Sequence, residues 1–187
     1  MTPLSALLVP IVLSGGFVFI VSSIIHMATK WHKNDFRKLP NEDAVLSALR
    51  PFAIPPGDYV APMASGMQDM KNPEYLAKRA QGPILFATFY PPGPITMRAS
   101  LVQWFIFSLV VSLFAGYVAA ATLPPGSPYL SVFRVTGTVA FAGYVLALWP
   151  FTIWYKRNLG TTIRSSIDGL LYALVTAGAF GWRWPAS

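Results

Sequence analysis

The chain has 187 residues, 54% hydrophobic and 11% charged, with a formal net charge of +7 and no cysteine. Soluble domains average about 25% charged residues, so the composition points to a membrane protein. The missing cysteine excludes disulfides, thiolate zinc sites, iron–sulfur ligation and thiol nucleophiles. The positive charge does not imply a nucleic-acid partner, because the basic residues flank apolar stretches, where membrane topology places them.

Residues 1–29 carry no charge with His26 neutral, and 99–133 and 135–155 carry none. A spanning helix needs about 20 apolar residues, and each stretch supplies them. Span one is expected over Leu4–Met27. It lacks a basic n-region and an A-x-A site, so it reads as a retained helix. Residues 28–98 hold ten of the 17 prolines and form a polar, mostly extended segment. One short helix should follow Asn41, with Glu42 and Asp43 in its first turn. Another should follow Asn72, with Pro73 first and Gly82 as the stop. Residues 84–90 read as a strand, with 58–63 its pairing partner.

Span two is expected over Ala99–Leu123, followed by the turn Pro124-Pro125-Gly126-Ser127-Pro128. Span three covers Val132–Tyr155 with a kink at Pro150. A basic connection with Lys156, Arg157 and Arg164 leads to span four, Ser165–Trp184. The charge-free core of span four, Gly169–Trp182, has 14 residues, short enough for a re-entrant segment. Trp182, Trp184 and a snorkelling Arg183 favour a full crossing. The expected fold is an all-α transmembrane four-helix bundle, with residues 1–27 and 99–187 in the membrane. Residues 28–98 lie outside it, as short helices and a small hairpin in a Pro-rich segment. Lys and Arg concentrate in 28–98 and 156–167, so both connections should be cytoplasmic and both termini periplasmic.

Small residues let membrane helices approach closely. Span four carries Ser165, Gly169, Ala173, Ala177 and Gly181 at four-residue spacing, and span two Ser108, Ser112, Gly116 and Ala120. Span three has Thr136, Ala140, Gly143 and Ala147, and span one Gly15, Ser22 and His26. These faces pack the chain's own bundle or dock partner subunits. Arg164 and Asp168, four apart, share a helix face, and a membrane-edge ion pair is favoured over a proton or ion relay. His26 follows Ser22 by one turn, which leaves room for a flat macrocycle. Haem or chlorophyll ligation is therefore conceivable there, although His32 is six positions on, about 240° round a helix. An interfacial hydrogen bond is the simpler role. Met63, Met67 and Met70 could hold copper(I), but adaptable apolar contact is the preferred reading.

No H-E-x-x-H, Walker loop, G-x-S-x-G or G-x-G-x-x-G is present, and a non-enzymatic role is expected. The runs Trp31-His32-Lys33-Asn34-Asp35-Phe36-Arg37-Lys38-Leu39-Pro40-Asn41-Glu42-Asp43-Ala44-Val45 and Arg50-Pro51-Phe52-Ala53-Ile54-Pro55-Pro56-Gly57-Asp58-Tyr59 resemble a family of uncharacterised small bacterial integral membrane proteins. The resemblance implies a bacterial origin and carries over no site residues.

The expectation is a non-catalytic accessory subunit of a larger complex in the bacterial inner membrane, of the energy-transducing kind, respiratory or photosynthetic. Its partners would be other integral membrane subunits and lipids, with no cofactor. Trp31, Phe36, Phe52, Tyr59, Phe86, Phe89 and Tyr90 are the docking side chains in the extended segment. One competitor is a small transporter or channel lined by Gln103, Ser108, Ser112, Thr136 and Thr138. The other is a haem- or chlorophyll-bearing subunit using His26.

Overall fold

The computed structural model describes residues 2–94 and 96–186. The chain divides into two compact units, one formed by Met1–Arg37 with Thr96–Ser187 and the other by Lys38–Ile95.

In the first unit, α1 (Leu8–Ser23) begins with a 3₁₀ turn, Leu4–Leu7, and ends in a π turn, Ile24–Ala28. Helix α4 spans Arg98–Thr122, α5 Tyr129–Val145, α6 Trp149–Tyr155 and α7 Leu159–Trp182; α2 and α3 belong to the second unit. Among the described residues, three helical stretches are long and apolar enough to cross a membrane: Leu4–Ala28, Arg98–Thr122 and Tyr129–Tyr155. The third is interrupted by a 3₁₀ turn at Leu146–Leu148. The expected kink at Pro150 therefore falls one turn earlier. Pro150 has no N–H to bond the carbonyl four residues back, and its ring crowds that carbonyl. Helix α7 has 24 residues and starts at Leu159, six positions before the expected Ser165. The Asn158 side chain accepts from the Thr161 N–H at 3.2 Å and so caps it.

Helix α5 packs along α7, and α1 packs against both α4 and α7. One apolar cluster joins Val18, Val111, Tyr144, Val145 and Tyr172. A second joins Leu7, Ile11, Ala115, Val132 and Phe180. Large apolar side chains such as Leu8, Val12, Phe114 and Trp154 are turned outward, as a lipid-facing surface requires. The Thr2 N–H donates to the Ala120 carbonyl at 3.1 Å, and the Gly126 N–H to the Pro185 carbonyl at 2.8 Å. These bonds tie both chain ends to the 120–126 end of the bundle.

The second unit contains α2 (Glu42–Leu49), α3 (Pro73–Gln81) and a hairpin of β1 (Gly57–Ala61) with β2 (Leu85–Phe89). The strands pair antiparallel, with Tyr59 opposite Ala87. Asn72 caps α3 by accepting from the Glu74 N–H at 2.9 Å, and Gly82 ends it with φ +63°. Asn41 precedes α2 in the left-handed region and makes no side-chain cap bond. The helix follows Asn41 with Glu42 and Asp43 in its first turn, as expected.

Candidate functional site

Two histidines, two aspartates and an arginine of the bundle collect at one end, where α1 finishes and α7 begins. Past the π turn, the Asp35 N–H bonds the His32 carbonyl at 3.1 Å, folding residues 30–35 into turns. This brings His32 and Asp35 onto α7. His32 Nε2 lies 2.7 Å from Asp168 Oδ2, and His32 Nδ1 lies 2.7 Å from Asp35 Oδ2. Arg164 Nε donates to Asp35 Oδ1 at 2.8 Å, with Nη2 bonding the same oxygen. The chain of contacts is Arg164–Asp35–His32–Asp168, largely buried: the Asp168 side chain is 5% exposed and that of Asp35 9%.

This arrangement corrects the expected ion pair. Arg164 and Asp168 share α7, but the Arg164 guanidinium turns to Asp35, and Asp168 takes His32 instead. A helix offers an i,i+4 partner by default. A carboxylate delivered from another segment wins here, because two guanidinium nitrogens reach it. Burial pushes the Asp35 carboxyl upward, but the hydrogen bonds and charges of His32 and Arg164 outweigh it and hold the group below its ordinary 3.8.

His26 is corrected as well. The helix stops at Ala28, so the angular separation assumed from a continuous helix does not apply. The imidazoles of His26 and His32 stack, with centroids 4.4 Å apart and planes at 22°. A macrocycle held by both imidazoles cannot sit between rings in that contact. Ligand atoms of His26, His32 and Asp168 all lie within 4.8 Å of one another. Residue types alone offered one clue to this grouping: both histidines and Asp35 fall within ten positions at a membrane boundary, counted from His26.

Below this cluster the bundle is threaded with hydroxyls. Ser14 Oγ donates to Ser112 Oγ at 2.9 Å, joining α1 to α4, and Trp104 Nε1 donates to Ser22 Oγ at 2.8 Å. Ser108, Ser112 and Thr136 each donate to the carbonyl four residues back on their own helix. Tyr144 Oη, Tyr172 Oη and Thr176 Oγ1 are buried without a hydrogen bond among the described residues. Ser108 and Thr176 lie near the Tyr144 hydroxyl all the same.

The stripes of α7 and α4 lie inside this unit, whereas on the third span Thr136 and Ala140 are buried and Gly143 and Ala147 are exposed. Gly169, Ala173 and Ala177 are buried and Gly181 is half-buried. A Cβ on Gly169 would lie 2.6 Å from Val145 Cγ2, and one on Gly181 2.5 Å from the Tyr129 ring. On α4, Ser108, Ser112, Gly116 and Ala120 are all buried, and a Cβ on Gly116 would lie 3.1 Å from the Phe180 ring.

The aromatic residues singled out for docking are mostly uncovered. Phe36 is 89% exposed, Tyr90 80% and Phe52 73%. Trp31, Tyr59 and Phe86 are exposed to a lesser degree, and Phe89 is half-buried against Tyr59 in an edge contact at 5.6 Å. Met63, Met67 and Met70 are likewise exposed. Comparison of the chain with family models, with curated proteins and with solved structures finds no match.

Proposed function

We propose that this chain is a non-catalytic accessory subunit of a larger complex in the bacterial inner membrane, plausible settings being respiratory or photosynthetic. In this reading four helices cross the bilayer, α7 being the fourth, and both termini are periplasmic. At about 1.5 Å per residue, the 24 residues of α7 reach across a hydrocarbon core about 30 Å thick. Its charges, Arg164 and Asp168, sit in its first half and are engaged by the His32–Asp35 turn.

The observation that carries the subunit reading is in the second unit. No described residue from 38 to 94 is buried, yet the segment holds Phe52, Tyr59, Phe86, Phe89 and Tyr90. Phe52, Tyr59 and Tyr90 are exposed there, and aromatic side chains of this kind anchor interfaces. Other integral membrane subunits and lipids are the partners this implies. Arg134 beside the apolar grooves of α5 offers a contact for an anionic lipid head group. The transporter alternative is weaker, because the buried serines and threonines mostly bond their own helix carbonyls and so act as packing groups.

Native mass spectrometry of the chain extracted in mild detergent tests the assignment. A stable assembly with other membrane subunits is expected, and a monomer or homo-oligomer alone would overturn it. A reporter fused at the C-terminus should behave as periplasmic; a cytoplasmic signal would mean that α7 does not cross.

A further inference from the structure

We infer that His26, His32 and Asp168 form a binding site for a divalent first-row transition-metal ion, with Asp35 and Arg164 as its supporting shell. This inference is independent of the subunit assignment. The three ligand atoms come from two separate parts of the chain and lie within 4.8 Å of one another. Two imidazoles and one carboxylate are the donor set that zinc and ferrous iron accept with coordination positions left open. With no cysteine anywhere in the chain, thiolate-seeking ions have no comparable site.

The outer contacts are those a metal-bound histidine requires. A ligating imidazole donates its second N–H to a carboxylate, which fixes the tautomer and raises ligand basicity. His32 offers Nε2 on the Asp168 side, while Nδ1 is held by Asp35 at 2.7 Å. Asp35 is itself fixed by the Arg164 guanidinium. The π turn at Ile24–Ala28 is the local device that sets His26 beside His32, and such turns recur at functional sites. A simple ion pair between His32 and Asp168 would need neither the stacked His26 nor the second carboxylate behind His32.

Binding replaces a proton with the ion. In the arrangement described, His32 Nε2 and Asp168 Oδ2 are 2.7 Å apart and share a hydrogen. Metal–ligand bonds of about 2.1 Å at a tetrahedral angle set nitrogen and oxygen about 3.4 Å apart, so the two groups need to part by well under an ångström. The displaced proton goes to water, and the ion takes the nitrogen lone pair together with a carboxylate oxygen. His26 completes the set from the exposed side, leaving further positions for water or an exogenous ligand.

The test uses the full chain purified in mild detergent without a polyhistidine tag and stripped with chelator. Cobalt(II) is titrated in at neutral pH, then displaced with zinc(II). One cobalt per chain, visible d–d bands and proton release on binding are expected. His26→Ala should abolish stoichiometric binding while the metal-free variant still folds, since His26 is exposed and gives up only its stack on His32. Asp168→Asn should also lose the ion, and Asp35→Asn should weaken binding about 10–100-fold. Absence of stoichiometric binding would overturn the inference, as would unchanged affinity in His26→Ala. Equal affinity for magnesium would also overturn it, since that marks an oxygen site. The His26→Ala arm decides the matter even if Asp168→Asn fails to fold.

Discussion

In the unit built from residues 1–37 and 96–187, Val18, Val132 and Phe180 are wholly inaccessible, and so are the hydroxyl residues Ser14, Ser112, Thr136 and Thr176. Between 38 and 94 no described residue is buried. The first unit is held by interhelical packing, cross-helix hydroxyl bonds and a buried charge network. The second is held by local devices: a two-stranded hairpin, a capped helix and the exposed Lys78–Glu74 pair at 2.7 Å. Isolated hairpins are marginal in water and exposed ion pairs contribute little. Substitutions should therefore act on the chain's own stability in the first unit and on association in the second.

The largest effect should come from Arg164→Met, which leaves the Asp35 carboxylate buried without its cation. Breaking a buried pair costs about 3–5 kcal/mol. The Arg164 side chain is 25% exposed, which places the loss toward the lower end, about 3 kcal/mol. Lys78→Met breaks an ion pair of similar length in the other unit, and because that pair is exposed the unfolding midpoint should not move. Thermal unfolding of the purified variants compares the two directly. Equal losses would mean that the buried network does not distinguish the units.

Next in size is Ala173→Leu. Ala173 is 2% exposed on the face of α7 that meets α5, and overpacking there costs about 1–3 kcal/mol. Leu174, 44% exposed one position on, should tolerate Leu174→Ala with little change. Equal tolerance at both sites would show that the stripe is not a tight helix contact. Smaller again is Trp104→Phe, which keeps most of the ring and loses the 2.8 Å bond to Ser22. Hydrogen bonds between membrane helices average about 0.6 kcal/mol, and a midpoint shift of that order is expected.

These contrasts follow what the sequence made legible. Charge-free runs announced the three apolar helices to within three residues at their starts, because a bilayer demands a length and hydrophobicity that each of them supplies. Turn chemistry placed the two short helices and the hairpin, since Pro73, Gly82 and the 84–90 run act through their own backbone. The charge network was not legible. Its contacts to α7 join residues more than 125 positions apart, His32 to Asp168 and Asp35 to Arg164. The sequence also offered a nearer partner for Arg164 in Asp168. The π turn that rotates His26 toward His32 leaves no compositional mark. The early start of α7 did leave one, the Asn158 cap, overlooked because hydropathy alone set that boundary.

The smallest effect on the isolated chain, and the sharpest test of the comparison, should come from Phe52→Ala combined with Tyr90→Ala. Both side chains are largely exposed, at 73% and 80%, so their loss removes little packing and the unfolding midpoint should stay in place. In native membranes the outcome should differ. If a partner subunit covers these rings, each is a candidate anchor whose truncation costs association about 2 kcal/mol or more, and the double variant should fall out of the assembly. Protease cleavage within 40–94 provides the second readout. Cleavage should be fast in the purified chain and slow in native membranes, with the protection unchanged by salt, because apolar docking is not screened. Protection that disappears at high salt would instead assign the segment to anionic lipid, drawn by Lys71, Lys78 and Arg79. Equal protection in the purified chain would mean that the segment needs no partner. The rings now exposed would then have found cover within the chain itself, and the subunit reading would lose the observation on which it stands.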